Sequence, residues 1–123
     1  MVITKTPFRM SMAGGGSDFA DFYHNAEGAV LSTTIDKYVY LSMHPLFNKQ
    51  GYHLKYSENE HGDDLIKIKH PIIKEVFSRY NMYGVDLGAS ADIPSGTGLG
   101  SSSSFTVGLL NLCNAYRHVY RTR

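Results

Sequence analysis

The stretch PSGTGLGSSSS, Pro94 to Ser104, carries three glycines and five serines in eleven positions. Glycine accepts positive φ and lets a ligand approach a backbone that has no Cβ, and a helix start offers unpaired N–H groups at the positive end of its dipole. Together they make an anion site, most often for phosphate. A flexible Gly/Ser linker is the competing reading. Against it, the alternating GVDLGASAD before the run predicts a strand, and Phe105, Leu109, Leu112, Cys113, Tyr116 and Tyr120 after it recur at helical spacing. Leu99 also lies inside the run. A glycine-rich turn with serine caps and no ligand stays open on these grounds. Two common nucleotide motifs are excluded. No lysine follows Gly98 or Gly100 as a P-loop requires, and Ser101 stands where the dinucleotide fingerprint has its third glycine.

A second glycine cluster, Gly14 to Gly16, ends the opening run VITKTPFRMSMA. Pro7 within that run predicts an edge strand or one interrupted there. Ser17 and Asp18 stand at an N-cap position ahead of a short helix with Phe19, Phe22 and Tyr23 on one face, closing near Gly28. AVLSTTI and YVYLSMHPL predict two strands around a turn at Asp36 and Lys37. YHLKYSE alternates as a half-buried strand, and NEHGDD reads as a loop. PIIKEVFSRYNM predicts a helix with Pro71 in its first turn and Ile72, Val76 and Phe77 on one face. Consecutive strands in the middle favour an α+β sandwich over a doubly wound sheet.

The 123 residues suit one domain, and 42% hydrophobic with 19% charged residues is ordinary globular usage. A formal charge of +1 with no basic block gives no footprint for nucleic acid or an anionic membrane. No apolar run reaches the ~18 residues of a spanning helix, and the amino terminus lacks a signal-peptide core, so the chain reads as cytoplasmic. The lone Cys113 reads as a core thiol, and the six histidines are scattered without zinc spacing.

Pro94 to Ser104 closely resembles the PxxxGLGSS phosphate motif of the GHMP kinases, the superfamily of galactokinase, homoserine kinase and mevalonate kinase. TPFRMSMAGGGSDF, Thr6 to Phe19, resembles the family's first motif, and GGGSDF with GAVLSTTIDKYVYL is similar to bacterial kinases of D-glycero-D-manno-heptose 7-phosphate. The resemblance implies the α+β, ribosomal protein S5 domain 2-like fold of the family's amino-terminal domain. It implies an ATP-dependent sugar kinase using Mg²⁺ and a small sugar phosphate, with no nucleic-acid or membrane partner. In this reading Pro94, Gly96, Gly98, Leu99, Gly100, Ser101 and Ser102 hold the nucleotide phosphates, and the Ser101 hydroxyl sits near the metal, with Ser102 as the alternative. Ser103 and Ser104 pack. Arg9 is the catalytic cation, with a surface arginine as its alternative. Gly15, Gly16 and Asp18 meet the sugar, Asp18 otherwise being a helix-start acid. Asp36 and Lys37 are a turn, and Tyr80 and Tyr83 are core or rim residues.

Family members run to two domains of about 100 to 200 residues each. The resemblance therefore makes residues 1 to 123 the amino-terminal, ATP-phosphate-binding domain. The carboxyl-terminal domain, the catalytic and Mg²⁺-binding carboxylates and a later glycine-rich motif are expected beyond Arg123. Little or no activity is expected of this chain alone, and its exposed apolar face is expected to favour self-association. The alternative function is a non-catalytic phosphate-binding or S5-like interaction module.

Overall fold

The computed structural model describes residues 1–119. Five strands form one sheet in the order β1-β2-β5-β3-β4: β1 (Val2–Ala13), β2 (Leu31–Pro45), β3 (Tyr52–Lys55), β4 (Asn59–Gly62) and β5 (Val85–Ala91). β1 with β2, β2 with β5 and β3 with β4 are antiparallel, whereas β3 runs parallel to β5. The single-turn helix α1 (Ala20–Tyr23) follows β1, α2 (Pro71–Tyr80) precedes β5, and α3 (Ser101–Tyr116) follows it. The α+β expectation holds.

Alternation explains why one sheet face is covered. Val39, Leu41 and Met43 of β2, Val85 and Leu87 of β5, and Tyr52 and Leu54 of β3 are buried. Together with Phe8 they form one core with Ile73, Val76 and Phe77 of α2 and Leu109, Leu112 and Cys113 of α3. Burial pushes the Cys113 thiol up to about 12, so it is an inert core group. Pro71 opens α2, and Asn81 closes it in the left-handed conformation at φ 47°. The buried aliphatic of its first turn is Ile73, with Ile72 only partly buried.

Three expectations need correction. β2 is a single strand, so Asp36 and Lys37 make no strand-to-strand turn. They lie in an irregular stretch where Phe8 alone stands between the pairs Pro7 with Tyr38 and Arg9 with Thr34, and the bulge absorbs Asp36 and Lys37 without reversing the chain. The NEHG part of the expected loop is the edge strand β4. Its polar residues suit a sheet edge, and Glu60 has backbone and hydroxyl donors to accept from. Finally, Phe19 rather than Ser17 or Asp18 is the N-cap of α1, which buries none of its residues. Phe19, Phe22 and Tyr23 are exposed.

Candidate functional site

β5 delivers the chain to the glycine-rich loop, and Asp92 pins the loop's base. Its Oδ2 accepts from the Tyr38 N–H at 2.8 Å, and its own N–H donates to the Tyr38 carbonyl at 3.0 Å. Beyond this anchor Gly96, Gly98 and Gly100 take φ values of 83°, 73° and 71°. That alternation of left-handed glycines turns the loop into the start of α3. Gly100 is the N-cap, and no side chain caps the helix among the described residues. The first intrahelical bond runs from the Ser104 N–H to the Gly100 carbonyl at 3.0 Å. The amides of Ser101, Ser102 and Ser103 therefore precede the hydrogen-bonded ladder and form an anion-receptive end.

The helix start is fixed to β1. Ser104 is buried and its hydroxyl donates to the Pro7 carbonyl at 2.9 Å, while the Thr4 hydroxyl donates to the Gly108 carbonyl at 3.2 Å. Pro7 has no N–H, but its carbonyl is free to receive this tie. Ser103 is exposed.

Arg9 joins the loop to the amino-terminal motif. Its N–H donates to the Leu99 carbonyl at 3.2 Å, and its guanidinium donates to the Ser11 hydroxyl at 2.7 Å. A Cβ placed on Gly100 would come within 3.0 Å of Arg9 Cγ, so the glycine admits this side chain against the loop. Ser11 in turn lies beside the glycine turn, 3.9 Å from where a Gly15 Cβ would stand. Gly14 has a different task, because a Cβ there would overlap the Ala29 carbonyl. Ser17 closes the same turn, donating to the carbonyls of Gly14 at 2.8 Å and Ala29 at 3.1 Å. At Gly15 and Gly16 a Cβ would meet nothing closer than ordinary van der Waals contact, with Ser11 Cβ at 3.9 Å and Phe19 Cδ2 at 4.0 Å, and Asp18 is exposed on the turn.

A cavity of about 350 Å³ adjoins the loop, lined by Pro94, Ser95, Ser101 and Ser102 on one side. Its other wall is aromatic and aliphatic. The His70 ring stands 5.1 Å from Tyr56 and 5.2 Å from Phe105, with Ile72 and Ile93 alongside. His70 Nδ1 accepts from the Ile73 N–H at 3.4 Å, which caps α2 and leaves Nε2 to carry the proton of the neutral ring. Burial holds the His70 pKa below its ordinary value, against an opposing pull from Glu60. Burial alone would raise the Glu60 carboxyl. The Lys69 N–H, the Tyr56 hydroxyl and the Lys69 charge outweigh it and lower the pKa. Tyr56 is pushed strongly upward by burial and by its bond to Glu60.

Of the expected site residues, the fold thus gathers Pro94, Ser101 and Ser102 at one cavity, with Gly96, Gly98, Leu99 and Gly100 in the adjoining loop and Arg9 against it. Gly15, Gly16 and Asp18 stand on the turn beyond Ser11. Tyr80 is half-buried against the core and Tyr83 is exposed; neither lines the cavity. The aromatic wall and Asp92 were missed from the sequence. The one available signal was the strand-to-helix context of the loop, which says nothing of what packs beside it.

A model of the GHMP kinases N terminal domain matches residues 53–120, more than half of the chain. The chain belongs to the GHMP kinases. That match takes in the glycine-rich loop and α3, with the first motif lying ahead of it. The D-glycero-alpha-D-manno-heptose 7-phosphate kinase of Campylobacter jejuni is 30% identical over 122 residues, covering 87% of this chain and 35% of its own length. The chain thus spans about a third of the length of that curated relative. Two solved structures share the fold: a D-glycero-D-manno-heptose 1-phosphate kinase from Bacteriodes thetaiotaomicron, at TM-score 0.82 and 20% identity, and the mevalonate kinase of Methanococcus jannaschii, at 0.73 and 18%. They cover 97% and 98% of this chain, and 43% and 42% of their own chains.

Proposed function

We propose that the chain is the nucleotide-phosphate-binding part of an ATP-dependent sugar kinase whose substrate is D-glycero-D-manno-heptose 7-phosphate or a related sugar. One observation carries this reading: three left-handed glycines lead into an uncapped helix start that opens on a cavity with an aromatic wall. Phosphate needs N–H donors and room to approach them, and a nucleotide base needs a flat apolar slot beside them. The residues fit both demands. Gly96 and Gly98 have no atom within 4 Å of a would-be Cβ, so the cradle is open.

In this account the amides from Gly98 to Ser102 hold the ATP phosphates, and the Ser101 hydroxyl is the chain's hard-oxygen donor to Mg²⁺. ATP supplies the phosphoryl group. Arg9, held against the loop by its own N–H, places a permanent cation where negative charge would gather during transfer. Gly15 and Gly16 admit the sugar close to the backbone, and Asp18 accepts from its hydroxyls. The heptose assignment draws its support from the Campylobacter relative and from the open turn that carries these residues.

No Asp or Glu lines the cavity among the described residues. Phosphoryl transfer requires such a group to orient the attacking hydroxyl or complete the metal's coordination. This chain alone should therefore bind Mg·ATP and transfer little. A coupled ADP-release assay with heptose 7-phosphate should give no turnover above background; robust turnover would overturn the claim.

Binding itself is tested by calorimetric titration with Mg·ATP on the chain and on Ser102→Glu. An acid in the first turn of α3 suits the helix dipole, by about 0.3 to 1 kcal/mol, yet repels phosphate. The variant should lose ATP binding while keeping or gaining thermal stability. Unchanged ATP affinity would place the nucleotide elsewhere.

A further inference from the structure

The sheet face opposite the helices holds a polar cluster remote from the phosphate loop. His53 of β3 and His61 of β4 are direct cross-strand partners, with ring centres 5.8 Å apart in an edge-on arrangement. Both line a second cavity of about 420 Å³, together with Asn48, Gln50 and Asp63. No residue lines both cavities.

We propose that this histidine pair binds a divalent late first-row transition ion such as Zn²⁺ or Cu²⁺. Residues directly opposite on antiparallel strands share a face, so the two imidazoles need only side-chain adjustment to converge. With metal–nitrogen bonds of about 2.0 to 2.1 Å, two imidazoles on one tetrahedral ion hold their centres roughly 5 Å apart. The observed spacing is close to that value.

A second observation comes from behind the pair. His53 Nδ1 lies 3.7 Å from Asp86 Oδ2 on β5, and the Asp86 side chain is only 10% exposed. A carboxylate behind the far ring nitrogen fixes an imidazole's orientation and raises its basicity as a ligand. At 3.7 Å this pair is longer than a hydrogen bond, and the side-chain adjustment that metal binding requires would close it and leave His53 Nε2 to ligate. Asp86 is itself held by Lys55 Nζ at 2.7 Å, with His44 Nε2 at 3.8 Å on its other side, so the lysine charge is already compensated. Among the described residues no three His, Cys, Asp or Glu groups form a ready metal cage. The site is thus a two-imidazole one whose remaining positions go to water, which suits an exchangeable ion better than a structural one.

The test uses the untagged chain and the metal salts alone. Titration with Zn²⁺ and with Cu²⁺ should each give one saturable equivalent, Cu²⁺ the tighter of the two. His53→Ala and His61→Ala should each weaken binding at least tenfold, and His24→Ala, at the end of α1, should leave it within twofold. In the unaltered chain, substoichiometric Cu²⁺ should broaden the imidazole resonances of His53 and His61 and spare those of His24, a readout that survives even if a variant misfolds. Absence of saturable binding up to millimolar metal, or broadening that spares the pair, would overturn the proposal. ATP binding is independent of either result.

Discussion

Gly98 and Gly100 share a left-handed backbone and differ in what a side chain would meet. At Gly98 a Cβ finds nothing within 4 Å, so Gly98→Ala should cost only conformational strain, about 1 kcal/mol. At Gly100 the same methyl group presses on Arg9 Cγ at 3.0 Å. Gly100→Ala should cost about 2 kcal/mol in urea denaturation, backbone strain plus the displaced arginine. Equal costs at the two positions would contradict the close seating of Arg9 on the loop. Ser102 makes the complementary case: it is exposed, so its replacement by Glu changes charge at the helix start without disturbing packing.

At the scale of elements, His70 joins two structures at once, as cap of α2 and as the middle ring between Tyr56 and Phe105. Burial lowers its pKa from 6.5, so the unfolded chain takes up the proton first as pH falls. Its contribution is fully present above the unfolded value and is lost as pH drops through 6.5 toward the lower folded value, with no further loss below that. Thermal melts of the chain and of His70→Gln between pH 7.5 and 5 should show a steeper fall for the unaltered protein; parallel curves would contradict a neutral capping histidine. The same residue marks the boundary of what the sequence reveals. The helix that His70 caps is legible from Pro71 and the apolar spacing, and the loop is legible from its glycines. The wall is not, because Tyr56, His70 and Phe105 meet only through tertiary packing. β4 was hidden for a related reason: an edge strand needs no apolar alternation, and NEHG has none. The bulge at Asp36 and Lys37 imitates a turn in composition, and only the pairing of β2 with β1 on both sides of it, Thr34 with Arg9 and Tyr38 with Pro7, shows otherwise.

For the molecule as a whole, the helices cover one sheet face while the outer parts of β1 and β2 run on past β5 as a two-stranded ribbon. Met12, Leu31 and Phe19 are 66%, 62% and 71% exposed on that ribbon and its turn, with Phe22 and Tyr23 close in sequence. Apolar surface gathered at one end invites another surface to cover it. The chain should therefore self-associate at high micromolar concentration, and Leu31→Lys with Phe19→Lys should restore the monomer in light scattering. A clean monomer for the unaltered chain would count against this. Among the described residues no helix is long and apolar enough to cross a membrane, so these residues are not part of a spanning helix.

In our proposal the glycine-rich loop and the start of α3 are a nucleotide-phosphate cradle. Calorimetric titration of the chain with Mg·ATP tests it most directly. One saturable site is expected, lost in Ser102→Glu although that variant melts no earlier than the unaltered chain. An affinity unchanged by the added carboxylate, or no binding by the well-folded unaltered chain, would contradict it.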